Sequence, residues 1–162
     1  MQWTAGLAVL AAATVVFSTT LQATEPSGIE SNVLLAQGRT LRSLKDYINV
    51  GTEWMVSLED RGSSEFYFQD FSIRPGGRTG WHSHPGLLLI TVKEGTVDWY
   101  DKDCQKQTYA AGHSFTEGAD PHNVVNSGST NARLLVAYVV KGGAPRRLEN
   151  EQPRCGEALQ LR

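Results

Sequence analysis

Apolar and polar positions alternate along this chain in short runs with the two-residue period of strands, and turn residues separate the runs. Glu53-Trp54-Met55-Val56-Ser57-Leu58 predicts one strand, and Glu65 to Arg74, rich in Phe and Tyr, predicts another. Pro75-Gly76-Gly77 predicts a break after it. A short strand carrying His82-Ser83-His84 follows, ended by Pro85-Gly86. Leu87-Leu88-Leu89-Ile90-Thr91-Val92 reads as a strand buried on both faces. Glu94-Gly95 turns the chain into Thr96-Val97-Asp98-Trp99-Tyr100. Further runs are expected at Gln107–Ala110, His113–Thr116, His122–Val125 and Ala132–Val140, with a short leading strand at Val33–Ala36. Only residues 39–48 suggest a short helix. About nine evenly spaced strands with almost no helix predict an all-β sandwich or barrel.

The two ends differ from this pattern. Ala5 to Phe17 is an apolar run rich in Ala and Val, followed by Ser18-Thr19-Thr20 and Leu21-Gln22-Ala23. It resembles a secretory signal peptide cut after Ala23, although no Lys or Arg precedes Arg39. The run is too short to span a bilayer comfortably, so no stable membrane anchor is expected after cleavage. From Gly142 onward the chain is polar and charged. The expected division is a signal peptide at 1–23, a lead-in at 24–52, a barrel at 53–141 and a tail at 142–162. Cys104 and Cys155 are the only cysteines. In a secreted or periplasmic protein they are expected to form a disulfide that pins the tail to the Asp101–Cys104 loop.

Composition narrows the function classes. The 162 residues are 40% hydrophobic and 20% charged, which suits one globular domain, and the formal net charge is -2. No Lys/Arg cluster is longer than Arg146-Arg147, so nucleic acid is not an expected partner. No Asn-x-Ser/Thr acceptor is present.

Three of the four histidines stand where chemistry is expected. Residues i and i+2 of a strand share a face, so His82 and His84 project side by side. His122 arrives after two further apparent hairpins, in Pro121-His122-Asn123-Val124-Val125-Asn126. Neutral imidazole suits Zn, Cu, Fe and Ni. One divalent ion held by His82, His84 and His122 is the expected cofactor.

These residues resemble the cupin family. Its first motif runs Gly, five residues, His-x-His, three or four residues, Glu, six residues, Gly. Gly76, His82, His84 and Gly95 match it, and Leu88 stands at the Glu position. The second motif ends in His, three residues, Asn, matched by His122 and Asn126. The resemblance covers about residues 65–140. It implies a double-stranded β-helix, a jelly-roll barrel, with a metal inside. With Leu88 in place of Glu, the site is expected to carry no anionic ligand and to leave positions open for water or substrate. Leu88, Ile90 and Val92 should share the inward face, so Leu88, Ile90 and Tyr138 are the expected substrate-contacting residues. Glu117 is an acidic residue shortly before His122; an approach to the site from the strand end is one reading, and a solvated loop carboxylate is the favoured expectation. His113 is expected outside the site, Trp81 in barrel packing, and Arg78 and Arg133 at the surface. No catalytic residue is assigned.

Two functions remain open from sequence. One is a small metalloenzyme acting on a small organic substrate by oxygenase or Lewis-acid chemistry. The other is a non-catalytic module binding a metal or small ligand. Either would work as a monomer or homodimer.

Overall fold

A computed structural model of the chain describes residues 23–161. The expected signal peptide, apart from Ala23, lies outside the described residues. Strand is the dominant regular structure of the described chain, with little helix. β1 (Ser27–Arg39) leads into the hairpin of β2 (Lys45–Val50) and β3 (Trp54–Glu59). β4 (Ser64–Arg78), β5 (His82–Ser83), β6 (Gly86–Glu94) and β7 (Thr96–Tyr100) follow. Then come β8 (Lys106–Ala110), β9 (Ser114–Glu117), β10 (Asn123–Val125) and β11 (Ala132–Lys141). The tail carries β12 (Leu148–Glu149) and a single helical turn, α1 (Arg154–Ala158).

One sheet dominates, ordered β8-β7-β10-β4-β11-β6-β9, with β1 also paired to β4. Its pairings are antiparallel. It curls into a nearly closed barrel, the double-stranded β-helix expected from sequence. Inward side chains alternate along each strand: Leu88, Ile90 and Val92 on β6, and Leu134 and Val136 on β11. They pack with Ile73, Val97, Phe115 and Val124 into one core.

Several local expectations change. Residues 45–50 are strand, not helix, because they pair in register with β3, Lys45 opposite Glu59 through Val50 opposite Trp54. Cross-strand partners outweigh a weak local helix preference. The leading strand is far longer than Val33–Ala36, because β1 follows β4 from Arg78 back to Glu65. Pro75-Gly76-Gly77 does not end β4. Gly76 takes a positive φ of 72°, and the ladder passes from β11 to β10, with Gly76 N–H donating to Asn126 O at 2.8 Å. β6 is not buried on both faces: Leu87 and Leu89 are 42% and 50% exposed. They lie on the outer face, where an antiparallel sheet tolerates solvent.

The tail crosses the barrel mouth. β12 pairs with β5, Leu148 opposite Ser83 and Glu149 opposite His82. Cys104 and Cys155 are disulfide-bonded with Cα atoms 6.1 Å apart, within normal reach. The tail is thereby fixed against the strand that carries two of the site histidines.

Candidate metal centre

His82 and His84 leave β5 and its end on the same side, as the i, i+2 spacing requires. His122 is brought opposite His82 by a reciprocal backbone pair. His82 N–H donates to His122 O at 3.0 Å, and His122 N–H donates to His82 O at 2.8 Å. His84 N–H donates to Gly118 O at 2.8 Å, which draws the end of β9 alongside. Gly80, just before β5, lets the lead-in at Thr24 pass close by. Its φ is positive, and a Cβ there would lie 2.1 Å from Thr24 O.

The fourth member is Glu117, at the end of β9. One ligand atom from each of His82, His84, Glu117 and His122 falls within 4.8 Å of the others, and all four residues are buried. The expectation of a site without an anionic ligand is therefore overturned, and so is the reading of Glu117 as a solvated loop residue. The reason is register. β6 and β9 pair with Leu88 directly opposite Glu117, so the carboxylate enters from the neighbouring strand. One signal was present in the sequence: Glu117 follows Phe115 by two residues and shares its inward face.

Hydrogen bonding fixes the ring tautomers. The Nδ1 atoms of His82, His84 and His122 lie 2.8, 2.6 and 2.8 Å from the carbonyl oxygens of Gly80, Arg146 and Asp120. A carbonyl only accepts, so each Nδ1 carries a proton and Nε2 is the ring nitrogen left to face the site. His84 Nε2 and His122 Nε2 stand 3.4 and 3.3 Å from Glu117 Oε2. These two nitrogens and Glu117 Oε1 are buried without a hydrogen-bond partner among the described residues. Lone pairs facing a carboxylate repel unless a cation lies between them. The donor set thus fits a divalent ion: three imidazole nitrogens, each oriented through its second nitrogen, and one carboxylate oxygen.

Electrostatics agree. Burial drives the His82 pKa well below its ordinary value, which keeps the ring neutral. Burial alone would raise the Glu117 carboxyl, but His122 and His84 beside it hold it well below the usual carboxylate range. The positive charge that keeps Glu117 ionised must sit on the rings as protons or among them as a metal. Three buried imidazoles whose centroids lie 4.4 to 5.2 Å apart are poorly suited to holding several protons.

The centre opens into a cavity of about 280 Å³ lined by Leu88, Ile90, Phe71, Val136, Tyr138 and Arg146, among others. Burial raises the Tyr138 phenol to about 12, and its ring centroid lies 5.9 Å from that of His84. Val92 is buried in the core rather than in this wall. His113 lies outside, at the turn before β9, where its Nδ1 accepts from Ala110 N–H. Trp81 is fully buried, with Nε1 near Gly156 of α1. Arg133 forms two hydrogen bonds with Asp70, at 2.7 and 2.6 Å, while the Nε of Arg78 is buried rather than at the surface. Asn126 does not join the metal donors; its side chain bonds Ile73 O, Thr130 O and Gly128 N–H. Sequence reasoning also missed Arg146, whose position depends on how the tail folds back.

Comparison with known proteins follows the same division. A family model for the cupin domain matches residues 69–138, the stretch from β4 to β11 that holds all four donors. Residues 69–138 are a cupin domain. A cupin superfamily protein from Desulfitobacterium hafniense is similar in structure, with TM-score 0.46, 13% identity, and 74% of this chain and 84% of that one covered. A double-stranded β-helix protein from Klebsiella pneumoniae gives TM-score 0.47 and 18% identity, covering 68% of this chain and 86% of the other. A protein described as a predicted oxalate decarboxylase from Thermotoga maritima gives TM-score 0.42 and 20% identity, covering 50% and 84%. In sequence, the Drosophila melanogaster transcription factor collier is 33% identical over 76 residues, 44% of this chain. The match spans 13% of collier's length.

Proposed function

We propose that this cupin is an exported metal-dependent enzyme that acts on a small organic substrate. The observation that carries the reading is the inward convergence of three Nε2 lone pairs and a buried carboxylate at the inner end of a cavity. A divalent ion held by His82, His84, Glu117 and His122 would supply Lewis-acid polarisation or a site for O2. The rest is the chain's own contribution. Leu88, Ile90 and Val136 give that cavity apolar walls, which limit water and strengthen electrostatic interactions. Tyr138, neutral at physiological pH, offers a phenol proton as a hydrogen-bond donor on the same side as His84. The carbonyls of Gly80, Asp120 and Arg146 hold the imidazoles in one tautomer. Export is supported by the apolar run before Ala23 and by the Cys104–Cys155 bridge.

A non-catalytic binding module remains the second reading. It is favoured by the absence of a titratable general base beside Glu117 among the described cavity residues. Metal-loaded protein, with Fe(II), Zn(II), Cu(II) and Ni(II) tried in turn, should be incubated with a panel of small organic compounds and followed by NMR and oxygen uptake. Turnover that disappears in His84→Ala supports the enzyme. Full metal loading with no turnover across the panel supports the module.

A further inference from the structure

We infer that the compound bound in this cavity is a small organic acid, and that the Arg146 guanidinium receives its carboxylate. The inference rests on the metal-site reading above and adds the chemical class of the ligand. Arg146 lines the same cavity as His82, His84 and Glu117. Its backbone carbonyl accepts from His84 Nδ1 at 2.6 Å, so the residue that orients one metal donor also brings a cation to the cavity.

The guanidinium is placed and left without a partner. Its carbon lies 5.0 Å from the Tyr67 ring centroid and 6.0 Å from that of Tyr138, within cation–π range of both. Nη1 is buried and has no hydrogen-bond acceptor among the described residues. A buried donor of a charged group is costly to leave unpaired, so this position calls for an acceptor beyond the described residues, which a bound ligand would supply. The nearby carboxylates are committed elsewhere. Glu65 takes Tyr67 Oη and Arg39, the latter with Nε at 2.9 Å. Glu149 accepts two hydrogen bonds from Arg147, at 2.5 and 2.8 Å. Glu117 belongs to the metal centre.

Charge points the same way. Three neutral imidazoles, one carboxylate and a divalent ion sum to one positive charge, and Arg146 adds another across an apolar wall. A cavity of that sign in low dielectric favours an anion. The planar fork of arginine matches the two oxygens of a carboxylate. The apolar wall, Leu88, Ile90 and Val136 included, suits the hydrocarbon between the acid group and the atom facing the metal.

The test uses the full exported chain loaded with zinc and titrated calorimetrically with succinate, succinamate and succinamide. These probes share one shape and lose one negative charge at each step. Wild type should bind succinate at least about tenfold more tightly than succinamide, as expected for charge-assisted hydrogen bonds. Arg146→Gln should keep one zinc per chain and lose most of that preference. Arg146→Lys should recover part of it, since a point charge replaces the fork. The inference is overturned if zinc-loaded wild type binds none of the probes, or if Arg146→Gln keeps the full preference, which would assign the carboxylate to the metal alone. Failure of wild type to hold zinc would sink the metal reading instead. Zinc content measured on each sample separates the two failures.

Discussion

Leu88 and Glu117 face each other across the β6–β9 ladder, an apolar residue where the family motif has its acid and an acid on the adjacent strand. Directly opposed residues on one face place their Cβ atoms about 4.5–5.5 Å apart. A carboxylate moved by that distance can still reach the same ion.

This relationship predicts an exchange. Glu117→Leu should weaken metal binding by more than the roughly 10–100-fold that loss of an outer-shell partner costs. Leu88→Glu in that background should recover much of the loss, because a carboxylate returns from the facing strand. Leu88→Glu alone should gain little, since it adds a second buried acid beside Glu117. Calorimetric titration of the three variants with one metal reads all three outcomes. Failure of the double variant to rebind, while folded, would show that the two positions are not equivalent around the ion.

The exchange also marks where sequence reading ends. Strand alternation located His82, His84 and the inward Leu88, Ile90 and Val92, because period 2 is local information. The β6–β9 register is not local. It depends on the turn around Gly112 and His113, whose geometry the residue pattern did not specify. Glu117 was therefore read as solvated when it is buried. Arg146 escaped notice for a related reason: β12 reaches β5 only after the tail has crossed the barrel. The misread helix at 39–48 and the misread break at Pro75 were both local preferences overruled by cross-strand partners.

Asn126 separates fold from chemistry. Its side chain satisfies two carbonyls and one backbone N–H, and it is fully buried. Asn126→Ala should destabilise the protein by about 3 kcal/mol, because those groups are left unpaired. Metal stoichiometry should stay unchanged. Denaturant melts paired with metal analysis check both halves.

The tail bridge should couple to the site. Closing the 51-residue separation between Cys104 and Cys155 contributes about 4 kcal/mol in the chain-entropy model. Cys104→Ser with Cys155→Ser should lower the melting temperature. It should also weaken metal binding, since the freed tail carries the Arg146 carbonyl that orients His84. A lower melting temperature with unaltered metal affinity would show that the tail stabilises the barrel without tuning the centre.

Tyr138 gives a pH signature. Its phenol is raised from 10.0 to about 12, mainly by burial. The unfolded chain loses this proton near pH 10 while the folded chain keeps it. The contribution to stability is complete below about pH 10 and is lost as pH rises towards about 12. Tyr67 and Tyr100 are also raised, by the Glu65 hydrogen bond and by burial, so phenolate absorbance should lose its latest-titrating component in Tyr138→Phe, and the alkaline fall in melting temperature should shrink in that variant.

The central claim is that His82, His84, Glu117 and His122 hold one divalent ion. Metal analysis of the purified protein, without added metal or chelator, tests it most directly when run beside His84→Ala. The account predicts close to one equivalent of a transition metal per chain in the wild type and almost none in folded His84→Ala. Metal-free wild-type protein that also fails to take up Fe(II), Zn(II), Cu(II) or Ni(II), or a folded His84→Ala variant that keeps a full equivalent, would contradict it.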